Sequence, residues 1–212
     1  MLKPIILAAA LLVSLNAWAE DATQPAKPVK IAKPFVYTAK PTDIVIGKAE
    51  APVTIVEYAS LSCPHCADFY NNVMPKLTEK YIDTGKVKLV YRDYPLNEPA
   101  LKAAAVVQCA EPERRHSFIK VLFSTQDKWG RGGDYKDALA SIAALGGVPR
   151  DVFDKCFADK ALETRILEVE KDAEDNYNVS STPTFFINGK LHKTDHELES
   201  MSKDIDEALA KK

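Results

Sequence analysis

Val53-Thr54-Ile55-Val56-Glu57-Tyr58-Ala59-Ser60-Leu61-Ser62-Cys63-Pro64-His65-Cys66 is the stretch that decides the fold. Its first half is apolar and rich in β-branched residues, and reads as a buried strand. Its second half opens a stretch of helical periodicity that continues to about Ile82. Proline suits the first helical position, where its missing N–H costs nothing, so Cys63 is predicted to be the N-cap and Cys66 to lie one turn inside. A thiol at that seam faces unpaired backbone N–H groups and the positive end of the helix dipole, both of which stabilise a thiolate. The spacing points to thiol–disulfide exchange, with Cys63 as the exposed nucleophile and Cys66 as the resolving thiol.

Working outward, Ile44-Val45-Ile46 reads as a short strand before Val53–Ala59. After the motif, Tyr70, Val73, Leu77 and Tyr81 share one helical face, Pro75 predicts a kink, and Gly85 ends the helix. Val87–Tyr91 alternates like a strand and is closed by Pro95. From Glu98 to about Asp159 the period is helical, with Leu101, Ala104, Ala105 and Cys109 on one face, Phe118 and Leu122 on a second helix, and Tyr135, Leu139 and Ile142 on a third. Pro149 begins a fourth, carrying Val152, Phe153 and Cys156. A long amphipathic helix through Leu162, Ile166, Val169, Ala173 and Tyr177 returns the chain to a strand at Thr184–Ile187. Asn188-Gly189 signals a tight hairpin into a partner at Lys190, and a last helix carries Leu198, Met201, Ile205 and Leu209. The order predicts an α/β domain over residues 43–97 and 160–212, interrupted by a helical insertion at 98–159.

Met1–Ala19 carries one early cation, Lys3, then the apolar run Ile5–Leu15 and Ala17-Trp18-Ala19, the pattern of a secretory signal cleaved after Ala19. The run is well short of the roughly 20 residues that span a bilayer. Residues 20–42, broken by Pro25, Pro28, Pro34 and Pro41, read as an extended arm. The 28 basic and 30 acidic residues give a net charge of −2, which offers nothing to nucleic acid. All four cysteines follow the signal, where an oxidising compartment such as the periplasm permits disulfides. Three pairings are open to them; the short separation favours Cys63 with Cys66, leaving Cys109 with Cys156 as a structural disulfide. His116, His192 and His196 form no ligand spacing with the cysteines, so they are expected at the surface and no metal site is expected.

Cys63-Pro64-His65-Cys66 after Glu57-Tyr58-Ala59-Ser60, together with Ser181-Thr182-Pro183-Thr184-Phe185, resembles the DsbA family of exported thiol oxidases over nearly the whole chain beyond the signal. The resemblance implies a thioredoxin fold with an inserted α-helical domain and a role in donating disulfides to newly exported proteins. It also implies reduced exported proteins as substrates, a DsbB-like membrane partner for reoxidation and no small-molecule cofactor; a monomer is expected. Glu57, on the strand face of Val53 and Ile55, matches the buried acid that the family places six residues before its first cysteine, and is expected to exchange protons with Cys66. His65 is expected to stabilise the Cys63 thiolate through a hydrogen bond or partial positive charge. Pro183 is expected to be cis and packed against the motif, with Thr182 pairing to a substrate strand. Thr182 departs from the valine of the best-known members, which bears on oxidase against isomerase character. Disulfide isomerases usually add a dimerisation domain, for which the arm is too short. A metal-handling module built on Cys63, His65 and Cys66 lacks a fourth ligand, and a passive binding module has no need of both cysteines.

Overall fold

A seven-residue strand, Val53–Ala59, with no residue exposed to solvent beyond half-buried Thr54 sits at the middle of a five-stranded sheet. The computed structural model describes residues 33–211, so the predicted signal, its cleavage site and the first part of the arm lie outside the described residues. The strands are β1 (Ile44–Ile46), β2 (Val53–Ala59), β3 (Val87–Asp93), β4 (Thr184–Ile187) and β5 (Lys190–Leu191), in spatial order β1-β3-β2-β4-β5. β2 and β3 are parallel, and the other three pairings are antiparallel. Because side chains alternate along a strand, Val53, Ile55 and Ala59 enter one core with the motif helix, while Val56 and Tyr58 enter another beneath Val169 and Ala173. Burial on both faces is why β2 reads as a continuous apolar run.

The helix after the motif is built as α1 (Pro64–Asp68), a π-helical turn Phe69–Val73, α2 (Met74–Leu77) and a second π turn Thr78–Ile82. The expected kink takes the form of the first π turn. Pro75 has no N–H to give, and Met74 N–H reaches back to the Phe69 carbonyl just ahead of it, so the backbone widens where a regular turn would clash with the ring. Tyr70, Val73, Leu77 and Tyr81 are all buried, as their spacing predicts.

β3 runs two residues beyond the expected end, and Arg92 and Asp93 are buried. Arg92 Nε donates to Asp43 Oδ1 at 2.7 Å and Nη1 to the Tyr58 hydroxyl at 2.9 Å, which makes a charge tolerable there. The arm is not free at its end: Phe35 stacks on Phe186 with ring centroids 4.1 Å apart and joins the core of Val56, Tyr58, Val169 and Ala173. At the hairpin, Asn188 and Gly189 have φ of 45° and 86°, the left-handed pair expected of a two-residue turn. Gly189 is also forced by space, since a Cβ there would lie 2.6 Å from the Phe35 carbonyl.

Five helices fill the interval before β4: α3 (Glu98–Gln108), α4 (Pro112–Ser124), α5 (Tyr135–Leu145), α6 (Arg150–Ala158) and α7 (Lys160–Tyr177); α8 (Leu198–Leu209) closes the chain. The inserted helices share the core of the sheet. Tyr70 from the motif helix packs on Phe123 of α4 with centroids 4.5 Å apart, and Phe118, Leu122, Leu139 and Phe153 belong to the same buried cluster as Ile55 and Leu89. Cys109, at the end of α3, is bonded to Cys156 of α6. No helix among the described residues is long and apolar enough to cross a membrane.

The disulfide closes a loop of 47 residues in sequence separation, for which the chain-entropy model gives about 4 kcal/mol as an upper figure. Replacing Cys109 and Cys156 together by alanine is therefore expected to lower the urea midpoint by an amount of up to that size. Thiol exchange at Cys63 should be unaffected, since neither sulfur reaches the motif; denaturation followed by circular dichroism checks the first expectation and alkylation kinetics the second.

Candidate active site

Cys63 caps α1 with extended backbone angles, φ −79° and ψ 123°, and Pro64 takes the first helical position. The Ala67 N–H closes the first turn on the Cys63 carbonyl at 3.1 Å, while the N–H groups of His65 and Cys66 stay available to the Cys63 sulfur. The sulfur lowers its pKa to about 5 chiefly because the Cys66 thiol donates to it; burial opposes this, and Thr182 and the two backbone N–H groups add to it. As a thiol, Cys63 Sγ donates to the Thr182 carbonyl at 3.3 Å. The Thr182 hydroxyl is otherwise unpaired and can serve the thiolate instead.

Cys66 differs in every one of these respects. It is 0% exposed against 4% for Cys63, so the Cys63 sulfur is recessed rather than open, and Cys66 is wholly enclosed. Burial pushes the Cys66 thiol well above its usual value, helped by its donation to Cys63 and by the nearby charges of Glu57 and Cys63, while the Ser60 backbone opposes. Two residues of sequence thus separate a stable thiolate from a thiol that holds its proton.

Glu57 lies on central β2, fully buried, with neither carboxylate oxygen hydrogen-bonded. Burial raises its pKa to about 8; the Tyr70 hydroxyl, near but short of a hydrogen bond, pulls the other way, and the Cys63 charge adds to the rise. The Thr182–Pro183 peptide bond is cis, as expected, and it holds the Thr182 carbonyl against Cys63. His65 is exposed, and its backbone N–H is among the groups that lower the Cys63 pKa. A hollow of about 310 Å³ beside the motif is lined by His65, Phe69, Thr182, Pro183 and His196 among others.

Two features escape a reading of the sequence. Gln126, on a single 3-10 turn between α4 and α5, donates through Nε2 to the carbonyls of Leu61 at 2.8 Å and Cys63 at 3.0 Å, so the insert grips the motif loop. Nothing in its local sequence announces this. His192, expected at the surface, is buried, with Nδ1 2.7 Å from Asp204 Oδ2 and Nε2 2.7 Å from the Asp195 carbonyl. Its two partners are what make burial affordable. His116 and His196 are half-buried, and no cluster of His, Cys, Asp and Glu fit for a metal occurs among the described residues.

A family model described as thioredoxin matches residues 39–207. The chain is similar to α-DsbA1 of Wolbachia pipientis, with a TM-score of 0.73, 35% identity, and coverage of 82% of this chain and 94% of that one. It is 29% identical to disulfide bond formation protein D of Bacillus subtilis over 78% of this chain and 76% of that protein. A relative from Rickettsia felis, its name proposing a protein-disulfide oxidoreductase, is 34% identical over 86% of this chain, which spans 64% of that relative's length.

The thiolate absorbance of the reduced protein should titrate with a midpoint near 5, and a midpoint at the free-thiol value would remove the asymmetry described above. A depressed folded value means that this group adds stability above the unfolded thiol pKa of about 8.5 and loses it as pH falls towards 5. Glu57 runs the other way: its proton is held in the folded state, so its contribution is present at low pH and is lost as pH rises through about 8. Glu57→Gln should accordingly gain stability over the parent between pH 5 and 8, with a slope approaching about 1.4 kcal/mol per pH unit, measured as urea midpoints across that range.

Proposed function

The chain belongs to the DsbA-like branch of the thioredoxin family, and from that premise we propose that it is an exported protein-disulfide oxidase that gives the Cys63–Cys66 disulfide to newly exported proteins. The observation that carries this reading is the contrast between the two sulfurs. A reduced form in which Cys63 is a stable thiolate is favoured, and stabilising the reduced form makes the disulfide a stronger oxidant.

A substrate thiolate attacks Cys63 Sγ, the Cys63–Cys66 bond breaks, and Cys66 leaves as a thiolate that takes a proton from Glu57. A second substrate thiolate then attacks the substrate sulfur of the mixed disulfide, and Cys63 leaves as the thiolate. The substrate has lost two electrons as a new disulfide; the motif has gained them as Cys63 thiolate and Cys66 thiol. Attack at Cys63 is supported by its place at the mouth of the motif, and Cys66 is shielded. The loop of Thr182 and Pro183, packed on Cys63, is suited to hold an extended substrate segment alongside the motif. Reoxidation falls to a DsbB-like membrane partner, the place of action is the periplasm, and the chemistry calls for no small-molecule cofactor. An isomerase or reductase would use the same steps but a less oxidising couple.

Cys66→Ser should trap exported partners on Cys63 as adducts that vanish on reduction, because the escape route from the mixed disulfide is gone. Cys63→Ser should trap few. Non-reducing gels of the two single variants make the comparison, and equal trapping, or none, would overturn the assigned roles. The reduction potential of Cys63–Cys66 separates oxidase from reductase: a value near that of thioredoxin, about −270 mV, would exclude the oxidase.

A further inference from the structure

Beneath the motif lies a layer of polar side chains larger than the exchange reaction has yet used. Glu57 and Tyr91 are register partners on the parallel strands β2 and β3, and Asp93 lies two residues further on, opposite Ala59. Strand alternation puts Glu57, Tyr91 and Asp93 on the face covered by the motif helix. Tyr70, from the first π turn, completes the group, its ring centroid 6.2 Å from that of Tyr91 at an interplanar angle of 87°. All four residues are at most 2% exposed. Both oxygens of Glu57, both of Asp93 and the hydroxyls of Tyr70 and Tyr91 have no hydrogen-bond partner within the protein.

Protein interiors pair nearly all such atoms, and an unpaired buried polar group is costly. Six of them in one layer, next to a thiol that gains and loses a proton, are hard to account for as packing. Hydroxyls and carboxyls gathered in this way suit bridging by internal water and passage of a proton. The groups facing Asp93 are Tyr91 on its own strand, Gln108 at the end of α3 and, further off, Tyr70 from the motif helix, while Glu57 lies beyond them as the register partner of Tyr91 and beside Tyr70. Gln108 is half-buried and marks the way to solvent.

We propose that Asp93 is a second proton-holding carboxyl of this site, which resupplies Glu57 through the hydroxyls of Tyr91 and Tyr70 after Glu57 has protonated Cys66. This rests on the exchange reaction proposed above. The Glu57 proton passes to the departing Cys66 thiolate and leaves a carboxylate. The Asp93 carboxyl proton then moves to Glu57, each tyrosine accepting one proton and passing on its own, so that neither ionises. Asp93 recovers its proton from solvent on the Gln108 side. One proton is taken up for each Cys66 protonated, and no electrons move along this path. The direction is consistent with the affinities. Burial raises Asp93 to about 7 and Glu57 to about 8, and Cys66 lies well above its usual value, so each transfer runs towards the tighter holder. Burial also holds Tyr70 and Tyr91 far above their ordinary values, which keeps them neutral.

The test compares Asp93→Asn, Tyr91→Phe and the double variant with the parent. The first readout is the rate at which the infrared band of the protonated Glu57 carboxyl recovers after rapid reduction of the Cys63–Cys66 disulfide by dithiothreitol, from pH 5.5 to 7.5. Each single variant should slow that recovery about fivefold near pH 7 and match the parent below pH 6, where solvent protons are plentiful enough to reach Glu57 without the relay. The double variant should be slowed no more than either single one, since both interrupt one path. The second readout is the carbon-13 NMR titration of the Glu57 carboxyl. In Asp93→Asn it should move to lower pH because a neighbouring charge is gone, and Asp93→Glu should restore it. Parent-like rate profiles and an unmoved Glu57 titration, or losses that add in the double variant, would overturn the proposal. If Asp93→Asn does not fold, Tyr91→Phe and Tyr70→Phe carry the rate test on the same terms. A parent that fails to exchange with dithiothreitol at all would instead overturn the exchange reaction, while the carboxyl titration would still read the coupling of Asp93 to Glu57.

Discussion

The hydrogen bond from the Cys66 thiol to the Cys63 sulfur is the interaction on which the site depends, because it lowers one sulfur's pKa and raises the other's. It requires one sulfur at the helix N-cap and the other inside the first turn, which the single proline at the first helical position arranges. It also requires that the second sulfur have no water to turn to. Cys66 is enclosed by the sheet below and the inserted helices at the side, so its proton has few competitors for a partner.

That enclosure explains why the insert cannot be regarded as an appendage. Its apolar residues continue the core of the sheet through Tyr70 and Phe123, and Gln126 reaches back to hold the carbonyls of Leu61 and Cys63. The Cys109–Cys156 bond ties α3 to α6 on the far side of the same helices. A motif loop fixed in this way keeps the Cys63 sulfur and the Thr182 carbonyl in contact across 119 residues of sequence. Such positioning costs little at the moment of reaction because it was established on folding.

The buried acids run against stability. Glu57 and Asp93 are both desolvated without hydrogen bonds, whereas the other buried ionisable side chains among the described residues have partners: Arg92 pairs with Asp43, Lys102 with Glu163, and His192 hydrogen-bonds with Asp204. The contrast separates two uses of polarity inside one protein. Paired charges hold elements together, at the arm and between α3 and α7. Among the described residues, the carboxyls with both oxygens unpaired, Glu57 and Asp93, lie on the sheet face beneath the motif helix, where the proposed proton transfers would use them.

Much of this was legible in the sequence because it depends on local rules. The strand of β2, the cap at Cys63, the hairpin at Asn188-Gly189 and the helical faces of the insert follow from periodicity, proline and glycine chemistry within a few residues. Glu57 stood out because an acid in a two-faced apolar strand is anomalous, and the pairing of Cys109 with Cys156 followed from spacing and compartment. Asp93 was not legible, since a polar pair at the end of a strand looks like the start of a loop, and only the helices packed over it make it buried. His192 misled for the same reason: its burial comes from Asp204 and the Asp195 carbonyl. The π turn before Pro75, the grip of Gln126 and the recess of Cys63 were all decided by tertiary structure. The sequence determined which residues could do thiol chemistry and where the helix would place them; the packing of distant segments decided which were dry, which were paired, and hence where each proton resides, because desolvation and hydrogen bonding depend on neighbours in space.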